Sequence, residues 1–401
     1  MAEFINNLSL EEKEAVVGIF SEKYYKLAYF NGVTYISHLI LRLFKQMGIL
    51  KLLESQPTPG HQIISEFNFL PKTKYALGWM LDFLSQGNFL KKINNNGGAL
   101  YHYEGVENID LEALLQKTIE QDVKIAPSAK LMDYVISEYP NFFSGLKNGL
   151  EILFAKDKMM LWNEYFSSDN SGYSVHNAFG TFAIFKWALK RNDIRLLEIG
   201  AGTGGATVSL LDKLKDTKQL CAISEYIFSD VSPVFLRLGN EKIMKRVGDD
   251  FNYSLKKLNF DNPIVNQGIN KEEIDIVYGV NSLHVAKNLS ASLKYLYDII
   301  KPGGMIILSE CCRPSGDYLL PHELIFNLLD NYVDVDLNPV LRPIPGFLDY
   351  EHWKRNLSAA GFINIETVFN TDCGQSDNLS NKVDILAAVI KGEKTTSKKS
   401  F

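Results

Sequence analysis

The run LLEIGAGTGGATVSLL, residues 196 to 211, carries an acid and closely spaced glycines between a short apolar segment and an apolar-periodic one. It reads as strand, tight turn and helix start, the unit with which an open α/β sheet brings backbone against a ligand. Gly200, Gly202 and Gly204 lack side chains that would block that approach and tolerate positive φ. A dinucleotide site wants G-x-G-x-x-G with helix amides facing a pyrophosphate. Here the spacing is G-x-G-x-G, and Glu198 sits two residues before the first glycine. A carboxylate in that place suits a cationic or zwitterionic ligand and repels phosphate.

A second set of reactive residues lies downstream. His284 follows the apolar run IDIVYGV, and Glu310 closes the run MIILSE. Neighbouring strands end about 5 Å apart, so the carboxylate can hold one imidazole nitrogen and leave the other facing an acceptor. That is a base with an orienter. Asp230 ends EYIFSD, where an acid accepts hydrogen bonds from ribose hydroxyls; the alternative is an N-cap for a helix starting at Ser232 or Pro233. Asn259 is placed to accept from an adenine amino group through its amide oxygen. Thr203 in the turn and Asn281 after the third strand complete the expected cofactor contacts. His322 and Glu323 could join His284 around a metal ion, but their spacing matches no established ligand set, and no metal is expected.

These residues need a sheet to bring them together. From Arg195 onward apolar strands alternate with helices, which implies a parallel sheet wrapped by helices. Strands are predicted over 195–199, 224–229, 274–279, 304–309 and 383–390, with a final antiparallel pair after Gly361 and KPGG as a turn before the fourth strand. The fold class is therefore α/β, Rossmann-like, mostly parallel with its last strand antiparallel.

The first part of the chain reads differently. Ser9 and Glu12 form a capping box, and ISHLILRLFKQMGILKLL has helical spacing with Gly48 as a kink or stop. Punctuation from Pro57 to Gly60 ends that stretch. A short helix near Ile63, a stronger one over Lys74 to Ser85, and a hairpin across Asn-Asn-Gly-Gly follow. Three helices and a hairpin make a mainly helical, winged-helix-like module. The helix before the hairpin carries Trp79, Met80, Leu81 and Phe83 and little positive charge, which disfavours DNA binding. Residues 111 to 190 are again helical, interrupted at Tyr139-Pro140 and by SSDNSGY; the run SSDNSGYSVHNAFG is expected to cross the cofactor mouth as the last connection before the sheet. The expected domains are 1–155 (helical module), 156–392 (catalytic sheet) and a disordered tail, 393–401.

At 401 residues, 46% hydrophobic and a net charge of -5, the chain has the composition of an ordinary globular protein of two domains. It has no basic block of the kind phosphate contacts require, so no nucleic acid is expected. No apolar run approaches a membrane span and no signal-peptide pattern opens the chain, so cytoplasm is the expected address. Its four cysteines form no C-x-x-C pair and no disulfide framework. Adjacent Cys311 and Cys312 read as small core residues.

The E-x-G-x-G-x-G form resembles motif I of class I S-adenosylmethionine-dependent methyltransferases. The blocks EILFAKDKMMLWNEYF, LLEIGAGTGGATVSLL, YIFSDVSPVFL, LNFDNPIVNQG, NSLHVAKNL, KPGGMIILSE and LRPIPGFLDYEHWKRNLSAAGF together resemble, in order, the C-methyltransferase domains of polyketide synthases. The resemblance covers roughly residues 150 to 390, with the front module similar to their lid region more loosely. It implies S-adenosylmethionine as cofactor and a His284/Glu310 dyad that removes the α-proton of a β-ketoacyl thioester. It also implies an acceptor-positioning role for Tyr173 on the upstream loop. An acyl thioester on a carrier protein is then the expected partner, and a homodimer through the front module is among the expected assemblies. Two departures stand out: Asn259 where the family often has Asp, and a segment after Glu310 without the usual Trp-rich sequence. Rival readings are an O- or N-methyltransferase of a small metabolite and a catalytically silent cofactor-binding module.

Overall fold

The computed structural model describes residues 22–96, 98–107, 109–189, 191–247, 251–368 and 387–396. The Ser9/Glu12 capping box, Cys373, the start of the strand predicted over 383–390 and residues 397–401 lie outside them.

The front module begins with α1 (Glu22–Gln46), and Gly48 at φ +81° lets the chain turn into α2 (Ile49–Ser55). Left-handed backbone at this point is what glycine permits at low cost. Then come β1 (Thr58–Pro59), α3 (Gly60–Glu66) and α4 (Lys74–Gln86). The hairpin strands β2 (Lys91–Asn95) and β3 (Gly98–His102) join β1 in a small antiparallel sheet of order β1-β3-β2. Helix α4 buries Trp79, Met80, Leu81 and Phe83. The Trp79 indole donates to Glu323, far along the chain.

Helices α5 (Leu111–Gln121) and α6 (Ala126–Ser144) follow. Pro140 does not interrupt α6 as expected but lies inside it. Tyr139, Phe142 and Phe143 are all buried along this stretch, and their packing outweighs the missing amide. Next are α7 (Gly149–Leu153), α8 (Met159–Tyr165) and α9 (Ser171–Ala183). Helix α8 shares the front core through Trp162 and Tyr165, and so do Leu324, Ile325 and Leu328 from the far end of the chain. Packing of the front core therefore continues past residue 155. The two regions meet closely at Gly149, where an added Cβ would lie 1.7 Å from the Leu328 carbonyl oxygen. Gly149→Ala should cost about 1–3 kcal/mol by overpacking. A thermal melt identical to wild type would show that α7 does not seat there.

The catalytic region is a seven-stranded sheet of order β6-β5-β4-β7-β8-β10-β9. Its strands are β4 (Ile194–Ile199), β5 (Ile223–Asp230), β6 (Tyr253–Lys257), β7 (Ile274–Val280), β8 (Ile300–Cys311), β9 (Ile363–Val368) and β10 (Ala387–Glu393). Strands β4 to β8 pair in parallel, and β10 runs antiparallel to both β8 and β9. One face packs on α9 and α10 (Gly205–Asp216), and the other on α12 (Leu289–Ile299) and α13 (Tyr350–Ala360). Helix α11 (Pro233–Val247) follows β5.

Three details depart from expectation. Strand β6, the strand before Asn259, fell outside the five predicted ranges, because YSLKK at a sheet edge is half exposed and shows no clear alternation. KPGG is not a separate turn: β8 starts at Ile300, and the extra residues form an irregularity where Gly303 takes φ +76°. Strand β10 reaches Glu393, inside the tail expected to be disordered, and the Lys394 amide donates to the Gly304 carbonyl. Among the described residues no helix is long and apolar enough to cross a membrane.

The chain runs outward from β4 to β5 and β6, then returns to β7 on the other side of β4. That reversal opens a crevice at the carboxyl ends of β4 and β7.

Candidate active site

The crevice holds a cavity of about 590 Å³ lined by Glu198, Gly200, Gly202, Thr203, Asp230, Asn259 and Asn281. Seven of the eight expected cofactor residues thus share one wall. Gly200 and Gly202 both have φ +56°, and a Cβ on Gly200 would lie 2.7 Å from the Ser282 Cβ. Gly204 is the exception. It caps α10 at φ +78°, a left-handed conformation that favours glycine, while a Cβ there would meet the Gly239 Cα at an ordinary 3.5 Å.

Asp230 lines the cavity but does not cap α11, whose capping hydroxyl is that of Ser232. Its carboxylate accepts from the Gly202 amide at 2.9 Å and from the Ser232 amide at 2.8 Å, tying the glycine turn to the start of α11 while still facing the cavity. Burial pushes its carboxyl up from the usual range, and the backbone donors pull it back. Asn259 lines the cavity. Its side-chain oxygen accepts from the Asp261 amide at 2.9 Å, a local Asx turn that orients the side chain and leaves the oxygen its second lone pair.

Glu198 is buried and accepts from the Thr207 hydroxyl at 2.5 Å and from the Tyr226 phenol. Burial pushes its carboxyl up to about 7, against the pull of those two donors. Near it, three buried polar atoms of cavity-lining residues have no protein partner: Asn177 Oδ1, Thr203 Oγ1 and Ser282 Oγ. A buried acid beside an open carbonyl and two hydroxyls fits a ligand carrying ammonium and carboxylate groups.

The raised Glu198 carboxyl has a stability consequence. The folded chain binds this proton more tightly than the unfolded chain. The contribution is therefore fully favourable below about pH 4.5, declines as pH rises toward about 7, and is flat above. The span is on the order of 3 kcal/mol. Glu198→Gln removes the dependence, so the ligand-free variant should lose less Tm than wild type between about pH 5 and about pH 8. Parallel pH dependence in the two proteins would refute the assignment. The same variant should bind S-adenosylmethionine more weakly.

A second cavity, of about 300 Å³, adjoins the first. Tyr173, Asn281, Phe166 and Val285 line both. Its own walls include His284, His176, Cys311, His322 and Phe347, with Ile36, Ile125 and Met132 from the front module. Tyr173 is not on a loop as expected but in the first turn of α9, whose N-cap is the Asn170 side chain. Burial pushes its phenol well up, so the hydroxyl stays protonated.

His284 sits in a single 3₁₀ turn, Leu283–Val285, directly after β7. Its Nδ1 lies 2.9 Å from Glu310 Oε2, and both residues are buried. The other carboxylate oxygen accepts from the Ser282 and Leu283 amides at 3.1 and 3.0 Å. An ionised carboxylate only accepts, so Nδ1 carries the ring proton and Nε2 is left with a lone pair. The Phe347 ring lies 4.3 Å from the imidazole, centroid to centroid. The buried Arg342 guanidinium donates to the His284 and Ala286 carbonyls, bracing the turn.

The metal alternative does not hold. Glu323 is paired with Arg313 and also accepts from Tyr332 and the Leu320 amide. It holds the segment after Glu310 in place and does not meet His284 in a ligand set. Among the described residues no group of three or more His, Cys, Asp or Glu side chains is placed for a metal ion.

Three residues at or beside the site drew no site reading from the sequence. Cys311 is buried as expected but also lines the second cavity, with its sulfur 3.3 Å from His322 Nε2. Arg342 and His176 each lie within a quoted or expected segment, but nothing in their spacing singled them out.

Comparison with known proteins adds independent findings. Residues 197–306 match a family model described as a methyltransferase domain. The polyketide synthase PksM of Bacillus subtilis is 29% identical over 300 residues, which cover 72% of this chain and 7% of that protein. The chain spans about a tenth or less of the curated relatives it matches. Among solved structures, the CurJ carbon methyltransferase superposes with a TM-score of 0.79 at 22% identity, covering 98% of both chains. The citrinin polyketide synthase CMeT domain gives 0.73 at 19% identity, covering 96% of this chain and 98% of that one. At these identities the likeness establishes the fold, and it extends over the front module as well as the sheet.

Proposed function

We propose that this class I methyltransferase, whose donor is S-adenosylmethionine, methylates the α-carbon of a β-ketoacyl thioester, carried on an acyl carrier protein in polyketide-type biosynthesis. The observation that carries the reading is the buried His284/Glu310 pair in a largely apolar cavity that shares its wall with the glycine-turn cavity. When bound, the cofactor supplies a methyl group on a positively charged sulfur. The chain must align a carbon nucleophile with that methyl, exclude water and take away a proton.

Orientation in adjoining cavities can contribute roughly 7–11 kcal/mol. His284 Nε2 is free to accept the α-proton while Nδ1–H stays on Glu310, whose buried carboxylate compensates the imidazolium that forms. Aromatic and aliphatic walls from both ends of the chain keep water from the carbanion. The similarity to carbon methyltransferases in fold, and to polyketide synthases in sequence, supports carbon as the acceptor.

The test is incubation with S-adenosylmethionine and a panel of β-ketoacyl thioesters, on pantetheine and on carrier protein, with the methyl position read by mass fragmentation. Transfer to the α-carbon is expected. Methylation of oxygen or nitrogen alone would favour a small-metabolite methyltransferase, and binding without any transfer would favour a silent module.

A further inference from the structure

We propose that His176 is a second catalytic residue, whose imidazole N–H donates a hydrogen bond to the enolate oxygen that forms when the acceptor loses its α-proton. The inference deepens the carbon-methylation reading and rests on it.

His176 is 5% exposed and lines the same cavity as His284. Its Nδ1 is buried with no protein partner. A buried polar atom without a partner, on a residue that lines a cavity, carries a desolvation cost that a ligand or a bound water can offset. The backbone that carries the ring is also held in position. His176 lies in the first turns of α9, and its backbone carbonyl accepts from the Ser309 hydroxyl at 2.9 Å. Ser309 directly precedes Glu310, so the strand that orients the base also holds the donor.

The protonation state suits this task. Burial, helped by the nearby His284, holds the imidazole down to about 3, so it is neutral at working pH. A neutral imidazole has one N–H and one lone pair whichever tautomer it adopts. A neutral histidine that polarises a carbonyl toward an enolate is a known catalytic arrangement. It does not add a positive charge beside the imidazolium that His284 becomes.

Tyr173 stands three residues earlier on the same helix face, its ring 5.8 Å from that of His176. A β-ketoacyl thioester enolate spreads its charge over two oxygens, and the two donors match that pair. The electron balance is simple. The C–H pair moves into the enolate as the proton passes to His284 Nε2. It then forms the new C–C bond while the C–S pair leaves with sulfur. His176 gains and loses no proton; it strengthens one hydrogen bond as charge develops.

The experiment compares wild type, His176→Phe and His176→Gln, which remove and retain a donor respectively. With a β-ketoacyl pantetheine as acceptor, the phenylalanine variant should lose about 10²–10³ in kcat, and the glutamine variant should recover part of it. With S-adenosylhomocysteine in place of the donor, the ultraviolet enolate band of the bound acceptor should appear in wild type and vanish in His176→Phe. Affinity for S-adenosylhomocysteine should stay unchanged in all three. Should the phenylalanine variant not fold, His176→Met against His176→Gln makes the same comparison. Wild-type turnover and an intact enolate band in the donorless variant would overturn the proposal, and so would a glutamine variant as inactive as the donorless one. If wild type itself gives no carbon methylation, the underlying reading fails instead, before the variants are compared.

Discussion

His284→Ala is expected to lower kcat for carbon methylation by about 10²- to 10⁴-fold while leaving affinity for S-adenosylmethionine close to wild type. The ring lines the acceptor cavity and not the glycine-turn cavity, so its loss removes the base without touching the walls assigned to the cofactor. The turn that carries it should persist, because Arg342 and Glu310 hold it through backbone atoms. Kinetics with a β-ketoacyl thioester, paired with calorimetry on the donor, separates the two effects. Turnover that survives would remove His284 from the chemistry, and lost donor binding would make its role structural.

Glu310→Gln should be almost as damaging, for a different reason. The glutamine oxygen can still accept from the Ser282 and Leu283 amides, as the carboxylate does now at 3.1 and 3.0 Å. That arrangement turns the NH2 group toward His284 Nδ1, where it can only donate. The imidazole must then accept at Nδ1 and carry its proton on Nε2, the atom that should take the substrate proton. Turnover should fall by about 10²–10⁴ with little change in Tm. Glu310→Ala, by contrast, strands two buried amides at about 1–3 kcal/mol each and should melt earlier. Because base and orienter act as one unit, His284→Ala combined with Glu310→Gln should be no slower than the worse single variant. Multiplying defects would mean the two act independently.

The parts of this site legible in the sequence were those written in consecutive residues. The apolar runs before Gly200, Asp230, Asn281 and Glu310 announced buried parallel strands, and strand ends at one sheet edge must meet. Glu198 and the glycine turn were legible for the same reason. The sequence was silent where tertiary packing decided. Gly204 belongs to the motif by spacing but serves the left-handed start of α10 and does not line the cavity. Pro140 should have broken a helix, yet buried aromatic neighbours hold the chain helical around it. The Asn259 oxygen is also tied to the Asp261 amide two residues on. Glu323 is paired with Arg313, a contact that no spacing announced. His176 and Cys311 face the cavity because α9 and β8 happen to flank it, and no local pattern encodes that.

The central claim is that an imidazole oriented by a buried carboxylate takes a proton from carbon. Deuterium exchange at the acceptor α-carbon, in heavy water with S-adenosylhomocysteine bound so that no methyl transfer can follow, measures that step alone. Wild type should accelerate exchange over buffer, and His284→Ala should return it to the buffer rate. Exchange that stays equally fast without His284 would contradict the account.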